Sequence, residues 1–317
     1  MIGNNKVLLT YFLYLALGFI FFLTFHINEF PNKYTFTDWL INYEGGFVRR
    51  GLLGQIIFEL SKFLNLQIKF VILFFQITIY SIYFLLFFSL LSKRKINFFW
   101  LLIIFSPISF LYPMAELEAL GRKDIFVITF FLIFSLINYK SLNILLFSFI
   151  SLFSLSSLIH EITIFYIFHY LFVFYIKNKF FIEQKVNKKH YLIFFLSLVI
   201  LLYLNLYLHN FVIIEDIVNS YNYEKFTSVS GSFSHISPSI DSVFLKTFNN
   251  INLASVTRYG YLFLINTIPF IYFIKIKDKY KNRYFNSLNI FFGAILLSIP
   301  LYLLIFDWGR VIYINHN

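Results

Sequence analysis

Asp38 and Trp39, followed by Tyr43-Glu44-Gly45-Gly46-Phe47-Val48-Arg49-Arg50-Gly51-Leu52-Leu53-Gly54, place two carboxylates, two arginines and four glycines in one short stretch. Adjacent guanidinium groups suit a phosphate or carboxylate, because each fork donates two parallel hydrogen bonds to such an anion. Glycine lets backbone come close to a ligand. Three further groups carry charge: Glu116 with Gly121-Arg122-Lys123-Asp124, then His160-Glu161, then Asp307-Trp308-Gly309-Arg310. The chemistry these types allow is anion binding by Arg49, Arg50, Arg122, Lys123 and Arg310, beside proton transfer by Asp38, Glu44, His160 or Glu161. Gly45, Gly46, Asp124 and Asp307 read as supporting positions.

Each group also has a plainer reading. Arg49 and Arg50 would serve as an interfacial anchor that snorkels to headgroups. Asp124 would favour the N-terminus of a following helix, and Asp307 with Arg310 would be an i,i+3 pair at a helix end. His160-Glu161 interrupts an apolar run, where ionisable side chains are costly and default to function, although a turn at the lipid–water boundary would also accept them. His169 reads as a packing histidine; His209, His235 and His316 have no ligand spacing. Without cysteine and without a second ligand motif beside His160-Glu161, no metal is expected, nor any other cofactor.

The elements that must position these residues are membrane helices. The chain has 317 residues, 59% hydrophobic and 13% charged, with 47 Phe. Its apolar runs are continuous and of spanning length, not the alternating ten-residue segments of a β-barrel. The expected fold is all-α: a polytopic transmembrane helical bundle of about nine spans, at 7–25, 66–91, 98–113, 125–138, 143–159, 162–176, 191–208, 259–274 and 287–306. No repeat or soluble domain divides it, so 1–317 is one integral-membrane domain. Residues 51–63 carry apolar side chains at helical spacing opposite Gln55, Glu59 and Lys62, as in a helix lying in the interface.

Charge sets the orientation. The short loops 92–97, 139–142, 177–190 and 275–286, with the N-terminal residues, are all net basic, whereas 26–65, 114–124, 209–258 and the C-terminal tail are neutral or slightly acidic. Basic loops stay in the cytoplasm. The N-terminus is therefore expected inside and the C-terminus outside, and the net charge of +11 is a topology signal, not a nucleic-acid footprint. All four charged groups then emerge on the outer face, provided the chain turns at His160 and does not run through 143–176 as one tilted helix.

No phosphate-binding glycine loop of a nucleotide enzyme is present. An energy-rich donor outside the cytoplasm would be lipid-borne, such as a polyprenyl-diphosphate-linked sugar. Transfer from it needs cations for the departing diphosphate and a carboxylate or imidazole to take the acceptor's proton. Tyr221, Tyr223, Phe226 and Phe233 could stack sugar rings. The series Asn42-Tyr43-Glu44-Gly45-Gly46-Phe47-Val48-Arg49-Arg50-Gly51, Gly121-Arg122-Lys123-Asp124, His160-Glu161 and Asp307-Trp308-Gly309-Arg310 resembles multispanning proteins of bacterial surface-polysaccharide clusters, the O-antigen and capsule polymerases of the Wzy type. The wider group is similar to the GT-C glycosyltransferases in using membrane-embedded sites without nucleotide sugars. The resemblance implies an inner-membrane glycosyltransferase acting on lipid-linked oligosaccharide repeats, with other polysaccharide-assembly membrane proteins as partners. The chain is short for such a polymerase and ends soon after Arg310, so it could lack final helices. A glycan flippase or an outer-face O-acyltransferase is the alternative.

Overall fold

The computed structural model describes residues 3–29, 34–93, 119–206 and 213–221, with single positions at 249 and 257. The expected spans at 98–113, 259–274 and 287–306 lie outside the described residues. Among the described residues the secondary structure is helical throughout, with no strand. Backbone in lipid must satisfy its own hydrogen bonds, and helices do so within one segment.

Helix α1 (Gly3–Glu29) runs four residues beyond the apolar span expected from sequence. A short turn of helix, α2 (Tyr34–Thr37), leads into a 3-10 turn at Asp38–Leu40. Much of the segment expected as a polar loop, 26–65, is thus helical. Helix α3 (Gly51–Leu64) buries Leu53, Gly54, Ile57, Phe58 and Ser61 and ends on a left-handed Asn65. It packs on the Asp38–Leu40 turn and on α4 (Ile68–Ser92), so it is docked into the bundle and does not lie free at the interface.

Helices α1 and α4 are antiparallel, as Phe12 meets Phe84 and Phe88 while Phe19 meets Tyr80 and Phe84. On α1 the stripe Leu8, Phe12, Leu15, Phe19, Leu23 and Ile27 is buried, and Leu9, Leu13, Leu17, Phe21 and Phe25 face outward. Both stripes are apolar, as a helix with lipid on one side requires.

After residue 119 come α5 (Asp124–Leu136), α6 (Leu142–Ile159), a 3-10 segment (Glu161–Tyr166), α7 (Ile167–Lys177), α8 (Lys188–Leu206) and α9 (Ile214–Asn219). The chain reverses at His160, whose extended backbone (φ −151°, ψ 115°) ends α6. Phe153 then meets Tyr170, and Phe149 meets Phe174, across the resulting hairpin. Ser156 and Thr163 hydroxyls, 2.9 Å apart, brace its turn.

Three helical segments, Leu8–Phe25, Ile68–Ser92 and Leu142–Ile159, are long and apolar enough to cross a membrane, and Asp124–Leu136 is a shorter apolar helix. The described elements have two distinct ends. At one, the Lys177 ammonium donates to the Ile137 carbonyl, the Leu142 N–H donates to Gln184, and His190 meets Asn143. These contacts join the basic segments 139–142 and 177–190. At the other end lie residues 38–54, 119–124, 160–161 and 213–221.

Candidate functional site

Arg50 is the centre of the second end. It stands just before α3 in a left-handed conformation, φ 71°. That conformation is disfavoured for a side chain with a Cβ and persists only where surroundings impose it. Here the buried Lys123 ammonium donates to the Arg50 carbonyl at 2.8 Å. The Arg50 guanidinium donates through Nε to both Glu161 oxygens, at 2.7 and 2.6 Å, and through Nη2 to Oε1. Its Nη1 reaches Asp38 Oδ1 at 3.3 Å.

A second pair sits alongside. His160 Nδ1 accepts the Ile162 N–H at 3.3 Å, which assigns the proton to Nε2, and Nε2 lies 3.0 Å from Asp124 Oδ1. Nδ1 is also 3.6 Å from Glu161 Oε2, and Arg122 Nε is 4.0 Å from Asp124 Oδ2. Asp38, Arg50, Lys123, Asp124, His160 and Glu161 therefore form one continuous ionic network, with Arg122 on its edge. Arg49 is half-buried near Glu161 and makes no hydrogen bond or ion pair among the described residues. Arg49, Arg50, Arg122 and Lys123 face the three carboxylates Asp38, Asp124 and Glu161, an excess that favours an anionic ligand.

Mutual pairing sets the proton affinities. Burial would raise Asp38, but Lys123 and Arg50 outweigh it and hold the carboxyl below its ordinary range. Glu161 is likewise buried, yet Arg50, with Arg49 beside it, holds it far below a normal glutamate. Burial pushes Lys123 down to about 8, only partly offset by Asp38. The Arg50 guanidinium, despite burial, is raised by Glu161 and Asp38. A carboxylate so stabilised is a weak base.

The turn before α5 fixes the depth of this network. The Gly121 carbonyl accepts from Trp39 Nε1 at 2.6 Å and Gln76 Nε2 at 2.9 Å, while its N–H donates to the Tyr80 hydroxyl. Gln76 is about 12 Å along α4 from Ile68 by helical rise. Helix α5, with 13 residues, is about 20 Å long, short of a bilayer core of roughly 30 Å. The Gly121 turn beside the network thus docks about a third of the way along α4, inside its apolar span and not at its end. A lone glutamine inside an apolar span is the signal that pointed here, since polar side chains at that depth need a partner. Sequence reasoning passed over Gln76, Tyr80 and the Trp39 indole.

Other expected residues fall elsewhere. Glu44 is exposed, and its Oε1 accepts from Gln55 at 3.1 Å, apart from the network. Gly45 accepts the Ile213 N–H, and a Cβ there would sit 2.1 Å from the Ile213 carbonyl oxygen. Gly46 closes the turn back to Tyr43. A Cβ on Gly54 would lie 1.8 Å from the Ile41 carbonyl oxygen. Gly45 and Gly54 therefore admit the protein's own backbone, where sequence had them admitting a ligand. Lys123, expected on the ligand, is a strut beneath Arg50. Asp124 stands in the first turn of α5 but is buried against His160 and is no solvated cap. Tyr221 is buried, with its hydroxyl on the Leu40 carbonyl and its ring against Phe58, so it is a packing residue and not a sugar platform. His169 packs between Phe131 and Tyr166. Asp307, Arg310, Tyr223, Phe226 and Phe233 lie outside the described residues. Among the described residues no group of His, Asp and Glu side chains is disposed to hold a metal ion.

Compared with protein-family models, with curated proteins and with solved structures, the chain matches none.

Proposed function

We propose that the protein is a multi-pass inner-membrane glycosyltransferase that transfers or polymerises polyprenyl-diphosphate-linked oligosaccharide repeats on the outer face of the membrane, as in O-antigen or capsule assembly. In this reading nine spans place the N-terminus inside and the C-terminus outside. Arg49 and Arg50, with Arg122, receive the departing diphosphate, and Arg310 is assigned the same role from its sequence pattern. Glu161 or His160 accepts the proton of the attacking hydroxyl, His160 being oriented by Asp124. The observation that carries the reading is the convergence of Asp38, Arg50, Asp124 and His160-Glu161, far apart in sequence, on one cation-rich network at the end opposite the basic segments 139–142 and 177–190. Preorganised cations at a leaving anion, with a proton acceptor close by, are what transfer from a diphosphate donor requires.

Deletion of the gene followed by gel analysis of surface glycan tests it. A lipid anchor capped by a single repeat supports polymerisation, and unchanged glycan sinks it. One observation favours a second reading, a lipid-linked glycan transporter: the Gly121 turn beside the network docks on Gln76 inside the apolar span of α4, and transporters bind substrate within the membrane. That reading expects deletion to remove surface glycan entirely. An O-acyltransferase expects normal chain length with lost decoration.

A further inference from the structure

We infer that the Glu161 carboxylate is an internal stand-in for a diphosphate, and that ligand binding moves Arg50 from Glu161 to the phosphate oxygens and so releases Glu161 to accept a proton. The inference rests on the glycosyltransferase reading above and adds to it a gate on the base.

Four features carry it. The edge of Arg50 given to Glu161, Nε with Nη2, is one of the two-donor edges a guanidinium offers a phosphate. Glu161 is also the most open of the three carboxylates, its side chain 17% exposed against 7% for Asp124 and 1% for Asp38. It belongs to the short 3-10 segment after His160, so a side-chain rotation frees it without unwinding a long helix. Finally, Arg50 stays anchored when Glu161 leaves, because Asp38 holds Nη1 and Lys123 holds the carbonyl. The charged and titratable groups facing Glu161 are Arg50, His160, Arg49 and Lys123. Once a diphosphate engages both arginines, Glu161 is left beside His160, with Lys123 held on the Arg50 carbonyl.

The transfer step balances with these groups. Glu161 takes the proton of the acceptor hydroxyl as its oxygen bonds to the anomeric carbon. The bond from that carbon to the diphosphate breaks, and the electron pair departs with the diphosphate onto Arg49 and Arg50.

The test is titration calorimetry of the purified full chain with inorganic pyrophosphate. Removing the competing carboxylate should tighten binding by Glu161→Gln roughly tenfold or more relative to wild type, the scale of one charge-assisted pair. Equal or weaker binding overturns the inference. Should Glu161→Gln fail to yield folded protein, Glu161→Asp withdraws the carboxylate by one methylene and should also bind more tightly than wild type, with the same converse. Repeating the titration with a polyprenyl diphosphate in micelles separates the sources: tighter binding than pyrophosphate marks a lipid-borne ligand, equal binding a soluble one, and no binding of either overturns the site. Failure of the sugar-transfer reading is separate. Tight Glu161→Gln binding with unchanged surface glycan keeps the gate and discards that reading, whereas lost polymer without tighter binding does the reverse.

Discussion

Arg50 and Glu161, 111 positions apart in the chain, share a two-point ion pair, with Nε 2.7 Å from Oε1 and 2.6 Å from Oε2. Arg50 makes it from a left-handed backbone and Glu161 from the turn after α6. The pair therefore ties the loop before α3 to the α6–α7 hairpin. Breaking a pair this buried leaves a desolvated charge behind, which costs more than the pair itself contributes.

Arg50→Ala is accordingly expected to destabilise the protein by about 3–5 kcal/mol, because Asp38 and Glu161 lose their common cation. Adding Glu161→Ala should recover part of that loss, since one orphaned carboxylate is gone. A double-mutant cycle read by chemical unfolding in detergent should show coupling of about 0.5–3 kcal/mol. Strict additivity would mean that the two side chains do not interact.

Gly54→Ala and Gly121→Ala should differ in severity. A Cβ on Gly54 meets the Ile41 carbonyl, which is backbone, so α3 must shift away from the loop that carries Asp38 and Arg50. A cost of about 3 kcal/mol or more follows from overpacking. Gly121 has φ +75°, and its Cβ would meet the Gln76 amide at 2.7 Å, a side chain that can yield. The expected cost there is about 1–2 kcal/mol from the left-handed backbone. Melting temperatures of the two variants in one detergent check the order.

Residue types and charge distribution carried much of this site in advance. Arg50, Lys123, Asp124, His160 and Glu161 stand out because charge is rare in an apolar chain, and the basic loops on one side implied where the other charges would gather. Depth was not legible. Nothing in the string Gly121-Arg122-Lys123 reveals that the Gly121 carbonyl docks on Gln76, about a third of the way along α4. The buried stripe of α1 was equally hidden, because Phe12 and Leu13 are alike to any pattern yet only Phe12 is inside. The glycines were read for the wrong neighbour: a missing Cβ shows that something approaches, and the structure supplies the Ile41 and Ile213 carbonyls.

Stability should depend on pH in two windows. Lys123 falls from 10.5 to about 8 in the folded chain. Between those values the unfolded chain holds a proton that the folded chain has lost, so stability rises with pH there. Lys123→Met should flatten that rise. Asp38 and Glu161 lie below their ordinary values of 3.8 and 4.5 when folded. Their contribution is complete above those values and disappears as pH falls through the folded ones. Glu161→Gln should lose part of the acid-side decline. Denaturation midpoints across pH 3–11 measure both.

Arg49 and its neighbour Arg50 should separate function from folding. Arg49 has no hydrogen bond or ion pair among the described residues, so Arg49→Ala is expected to leave stability within about 0.5 kcal/mol of wild type. If Arg49 meets the leaving diphosphate, the same substitution should lower transfer by about a hundredfold or more, the usual loss on removing one preorganised donor at developing charge. Arg49→Lys should restore only part of it, because an ammonium keeps the charge and forfeits the two-point geometry. Paired measurements of melting temperature and glycan chain length decide the matter. Normal chains in Arg49→Ala would remove this arginine from the site, whereas a large fall in melting temperature would make it structural, like Arg50.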